Sequence, residues 1–159
     1  MEQHKNPIVF ISYSQDSISF ADRVLSFSNR LRSEGIDAIL DQYEEAPIKG
    51  WPRWMEDSID TADYVLVVAS KGYFDKIRGN VGQGEGRGVK WEGSLIYQKL
   101  YMSDSINTKY IPIVFDEDDI EYIPTPLQAS TYYNVSDDDK YNELYWRLKR
   151  YIKTWVNIS

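Results

Sequence analysis

The 159-residue chain has no cysteine, which excludes disulfides, thiolate nucleophiles and cysteine-held metals together. Histidine is nearly absent as well. The single one, His4, stands in the polar start of the chain, so neither a Ser-His-Asp triad nor a histidine zinc site is expected. No apolar run approaches the roughly 18 to 20 residues that span a bilayer. Met1 to Asn6 lacks the apolar stretch of a signal peptide, and the expectation is a cytoplasmic domain without membrane contact. Positive charge is the minority sign: 18 basic residues against 25 acidic ones leave a formal charge of −7. Such a surface repels a phosphate backbone, which makes nucleic acid an unsuitable partner. The acid is concentrated in Asp116–Glu121 and Asp137–Asp139, both read as solvated loops.

Glycine is scarce outside one loop. Of nine glycines, five (Gly79, Gly82, Gly84, Gly86 and Gly88) fall between Arg78 and Gly88, a composition that predicts a mobile flap or insertion. The run does not follow a strand directly and does not spell G-x-G-x-x-G, so the dinucleotide fingerprint is not met.

What the chain does contain is alternating strand and helix signals. Ile8-Val9-Phe10-Ile11 is continuously apolar and β-branched, as in a strand covered on both faces. Short polar residues from Ser14 to Ser19 then cap a helix with Phe20, Val24, Phe27 and Leu31 at helical spacing. That helix stops at Glu34-Gly35. A second strand is predicted over Ile36–Asp41 and a polar loop over Gln42–Gly50. A helix opened by Trp51-Pro52 follows, with Trp54, Met55, Ser58 and Ile59 on one face. Asp63–Ala69 gives the strongest strand signal. A short helix around Tyr73–Ile77 and a longer one over Val89–Ser103 precede a fourth strand, Tyr110–Phe115. Its Pro112 cannot donate to a ladder, so this strand is expected toward an edge or with a bulge. Thr131–Val135 is a candidate fifth strand and Tyr141–Val156 a closing helix.

This order predicts an α/β, flavodoxin-like three-layer sandwich: a parallel sheet of about five strands, ordered 2-1-3-4-5, with helices on both faces. A single domain over residues 1–159, with its core at about 7–155, is expected. A ligand crevice then opens outside the C-terminal ends of strands one and three.

Five blocks in order carry a family likeness: Val9-Phe10-Ile11-Ser12-Tyr13-Ser14, Leu40-Asp41-Gln42-Tyr43-Glu44, Gly50-Trp51-Pro52-Arg53-Trp54-Met55, Ala62-Asp63-Tyr64-Val65-Leu66-Val67-Val68 and Gly88-Val89-Lys90-Trp91-Glu92-Gly93. Together they resemble the bacterial form of the SEFIR domain, a relative of TIR domains, over roughly Pro7 to Ile152. The resemblance implies a homotypic interaction module in signalling, one domain of a larger bacterial sensor or defence protein. Its partner would be itself or another SEFIR- or TIR-like domain, and a homo-oligomer is expected. The resemblance also implies an alternative, because some TIR domains hydrolyse NAD with a glutamate on the helix after strand three. Glu92 is the candidate here, although many TIR enzymes place that glutamate four residues after the tryptophan, where this chain has Leu95.

Each reading names its residues. NAD cleavage needs a carboxylate to stabilise an oxocarbenium-like centre, the role of Glu92; a carboxylate in a first helical turn is equally explained by the helix dipole. Ser12, Tyr13 and Ser14, where strand one ends, are placed to meet phosphate or ribose oxygens of NAD, or else simply turn the chain and cap the next helix. Asp41 would accept ribose hydroxyls and Arg53 would pair with phosphate, unless the two pair with each other or with solvent. No cofactor or metal is required, and NAD enters only as a possible substrate. For association, Tyr43, Pro47, Ile48 and Trp51 are apolar groups bordered by Glu44, Glu45, Lys49 and Arg53, a composition that suits an interface. Trp54 and Trp91 are read as core. A phosphotransfer receiver shares the topology but needs a phosphoacceptor aspartate after strand three, where this chain has Ala69-Ser70.

Overall fold

The computed structural model describes residues 6–78, 96, 98–99 and 109–158, the last eight of these by their backbone only. Strand β1 (Ile8–Ser12) leads into helix α1 (Ile18–Ser33), β2 (Asp37–Ile39), α2 (Trp51–Thr61), β3 (Tyr64–Val68) and α3 (Lys71–Ile77). After an undescribed segment come β4 (Tyr110–Val114), β5 (Tyr133–Asn134) and α4 (Asp138–Ile158). Ile96, Gln98 and Lys99 are helical, and the rest of the helix expected over 89–103 lies outside the described residues, as does the glycine run 79–88.

The strands form one parallel sheet in the order β2-β1-β3-β4-β5, as the alternating pattern predicts. Successive side chains of a strand face opposite ways, and two apolar clusters result. Val9, Ile11, Leu66, Val68, Ile111 and Ile113 pack with Val24, Phe27 and Leu31 of α1 and with Tyr141, Leu144 and Leu148 of α4. Phe10, Val65, Val67 and Val114 pack on the other face with Ile59 of α2, Tyr73 of α3 and Ile96. These are the three layers.

Local chemistry sets the ends of the elements. Ser17 caps α1, its side chain accepting from the Phe20 amide, and Ser70 caps α3 by accepting from the Tyr73 amide. Helix α1 stops at Gly35, whose φ of 91° lies in the left-handed region. There the Gly35 amide donates to Arg32 O and the Ile36 amide to Leu31 O, the paired bonds of a Schellman stop. The acidic run Asp137–Asp139, expected as a solvated loop, instead starts α4. Asp137 Oδ1 accepts from the Asp139 and Lys140 amides, and the carboxylates of the first turn suit the positive end of the helix dipole.

Pro112 also resolves. Lys109 O accepts from Val65 of β3 and Ile113 O from Ala69 just past its end, whereas Val114 O accepts from Val135 beyond β5, so odd residues of β4 turn their backbone groups to β3 and even ones turn them outward. Strand β5 pairs only with Ile113 and Val114. Pro112 therefore turns its missing N–H to a side that β5 does not reach, and the strand lies next to the edge without a bulge.

Candidate functional site

The crevice lies where β1 and β3 end and the chain leaves for opposite faces of the sheet, to α1 from β1 and to α3 from β3. The side chains at its floor bond to one another. Ser12 and Tyr13 point to opposite faces. The Ser12 hydroxyl meets the Tyr73 hydroxyl of α3 at 2.8 Å, and the Tyr13 hydroxyl donates to Asp41 Oδ1 at 2.9 Å. Burial first, and the Asp41 charge second, push the Tyr13 hydroxyl far above its ordinary pKa, so it stays protonated and a donor. Asp41 is itself buried. Above them, the Gly72 amide donates to Asp16 Oδ2 at 3.0 Å, and the Asp16 carboxylate fills the space a Cβ at Gly72 would need. The loop after β1 is thereby latched to the first turn of α3.

Of the residues assigned to phosphate and ribose, Ser12, Tyr13, Ser14 and Asp41 are thus all buried, and only Tyr13 and Asp41 are joined to each other. Ser14 Oγ is buried with no hydrogen-bond partner among the described residues. Arg53 stands apart, exposed on α2, while Asp41 is buried and accepts from the Tyr13 hydroxyl. Glu92 and Trp91 lie outside the described residues.

The loop after β2 is organised differently. A turn of 3-10 helix over Asp41–Tyr43 carries two side chains back to α1. Gln42 Nε2 donates to Ala21 O at 3.0 Å and to the Tyr13 hydroxyl at 2.9 Å. The Tyr43 hydroxyl donates to Asn29 Oδ1 at 2.7 Å and bonds Ser28 Oγ at 2.8 Å, with the Arg32 guanidinium over its ring. Tyr43 is therefore a pin holding the loop to α1 by its hydroxyl, with its ring half-buried beside Arg32. At the far end Lys49 Nζ bonds Asp57 of α2 at 2.7 Å. Trp51 stacks edge-on against Trp54, and Trp54 against Phe10 in the core. Between the pins, Glu44 to Ala46 are exposed, Pro47 is half-buried and Ile48 projects fully into solvent, 106% exposed.

Sequence reasoning missed two features. Arg23 joins α1 to the acidic loop: it pairs with Asp116 at 3.2 Å, donates to Ser136 Oγ at 3.1 Å and covers the Phe115 ring. Glu117, read as solvated, accepts from the Tyr132 hydroxyl and from Asn134 Nδ2. Both are long-range pairs with no sequence spacing to announce them.

Comparison with known proteins agrees with this geometry. A family model described as the SEFIR domain matches residues 7–148. The crystal structure of a prokaryotic SEFIR domain is similar, with a TM-score of 0.67 and 31% identity over 90% of this chain and 99% of that one. The TIR domain of the Toll-related receptor TRR-2 from Hydra magnipapillata shares the fold, with a TM-score of 0.57 and 20% identity over 91% of this chain and 97% of that one.

Proposed function

The chain belongs to the SEFIR family, and from that premise we propose that it is a homotypic interaction module, one domain of a larger bacterial sensor or defence protein. Its partner is a second copy or another SEFIR- or TIR-like domain. The observation that carries this reading is the loop from Glu44 to Gly50. A lone exposed isoleucine is ordinary on a surface, but Ile48 sits at the tip of a loop pinned at both ends by Tyr43 and by Lys49 with Trp51. Holding an apolar tip in one conformation before contact reduces the ordering cost of association.

Ile48 makes the cleaner probe than Trp51, because Trp51 also packs on Trp54. Sedimentation of the wild-type chain across concentration is expected to show self-association. Ile48→Asp is expected to lower the average mass at high concentration, with affinity weakened about tenfold or more at this contact, while the melting temperature measured at dilutions where both chains are monomeric stays unchanged. A mass profile identical to wild type removes the loop from the interface.

A further inference from the structure

The outward face of α4 carries a charge pattern that is complementary to itself. Tyr141, Leu144 and Leu148 are buried against the sheet, and the opposite face presents Asp139, Glu143, Trp146 and Arg150. Their spacing of four, three and four residues is that of a seam which packs along another helix. Trp146 is 60% exposed, an unusual position for so large a ring. Beside it an open depression of about 440 Å³ runs to Tyr133 of β5 and is bordered by Asn142 and Arg147.

Along this seam the acids come first and the bases last. An antiparallel partner related by a two-fold axis sets residues equidistant from the axis opposite each other. The midpoint between Glu143 and Arg147 is Tyr145, and the midpoint between Asp139 and Arg150 falls half a residue away, between Leu144 and Tyr145. One axis therefore pairs Glu143 with Arg147 of a second copy, and Asp139 with Arg150 of that copy, and each pair occurs twice. Trp146 is one residue from the axis, so the two indoles meet beside it, each next to the other copy's depression. Glu143 and Arg147 have neighbours within their own chain, Lys140 at 3.6 Å and the Tyr133 hydroxyl at 3.3 Å. Both contacts lie at the side of the seam and leave its centre open.

We propose that this face of α4 is a second self-association surface, which pairs two copies of the chain antiparallel about a two-fold axis near Tyr145. The proposal rests on the homotypic reading and extends it: the loop at Ile48 and the α4 face lie on different elements, so a chain with both can assemble beyond a dimer. The whole molecule carries −7 and two copies repel at a distance, which makes registered opposite charges the feature that selects this pairing. The contact extends over about 12 residues of helix, roughly 18 Å, and belongs to the small, weak class of interfaces.

The test uses the Ile48→Asp chain, in which only the α4 surface remains. That chain is expected to dimerise weakly in sedimentation. Glu143→Arg and Arg147→Glu, added separately, are each expected to leave it monomeric. Mixing the two variants in equal amounts is expected to restore a dimer, because every cross-axis pair is then again of opposite sign. A contact within one chain cannot produce that recovery, and circular dichroism of each variant reports whether the fold is kept. If the Ile48→Asp chain is monomeric while wild type associates, or if its dimer ignores both reversals, the α4 proposal is overturned and the homotypic reading stands. If wild type is monomeric throughout, both are overturned.

Discussion

Asp119 shows how a single residue departs from what its letter suggests. It lies in the acidic run read as solvated, yet its carboxyl titrates above the usual carboxylate range, raised by partial burial first and then by the charges of Asp116, Asp118 and Asp16, with Arg23 opposing. A carboxyl with a raised folded-state value binds its proton more tightly folded than unfolded, so its unfavourable contribution appears as pH rises through that value and is relieved below it. Asp119→Asn is expected to raise the melting temperature at pH 7, with the gain shrinking as pH falls to the ordinary carboxylate range; thermal melts at several pH values check this. Tyr43 teaches the same lesson. An aromatic beside mixed charge reads as an interface anchor, but the fold brings Ser28, Asn29 and Arg32 to it. Those partners lie 11 to 15 positions earlier in the chain, beyond any local pattern. Hydroxyls at the end of β1 and the Asp41 carboxylate were legible as site candidates, whereas Tyr73 and the bonds that join Ser12 to it and Tyr13 to Asp41 were not.

Elements were the most legible level, because caps, stops and periodicity are local. The Schellman stop of α1 is an example: Gly after a helical run predicts it, and Gly35 adopts the left-handed backbone it requires. Gly35→Ala puts an L side chain into that region at a cost of about 1 kcal/mol, and its Cβ would press on Lys149 Nζ at 3.1 Å, a flexible group that can swing away. The expected result is a melting temperature lower by roughly 2–4 °C for a domain of this size, with unchanged helix content by circular dichroism. Elements whose ends depend on distant partners were less legible. Strand β5 shrinks to Tyr133–Asn134 because β4 offers it only Ile113 and Val114, and α4 begins at Asp138, ahead of the expected Tyr141, because Asp137 caps it.

At the scale of the whole molecule, folding and association are linked. A partner that binds only the folded chain stabilises it by mass action, so the melting temperature of the wild-type chain is expected to rise with protein concentration. Scanning calorimetry at dilutions spanning the association range checks this, and the rise should disappear when Ile48→Asp and Glu143→Arg are combined. What the amino-acid sequence determined by itself was the parallel α/β architecture, the strand order and the family. Those follow from apolar periodicity and from ordered short blocks, which are properties of neighbouring residues. Tertiary structure alone decided which partners the described candidate site residues meet. It bonded Tyr13 to Asp41 and Ser12 to Tyr73, turned Tyr43 into a pin, and left Ile48 and the α4 face outward. The physical reason is that a side chain's role depends on which partners reach it, and in this fold those partners arrive from 11 to 61 positions away.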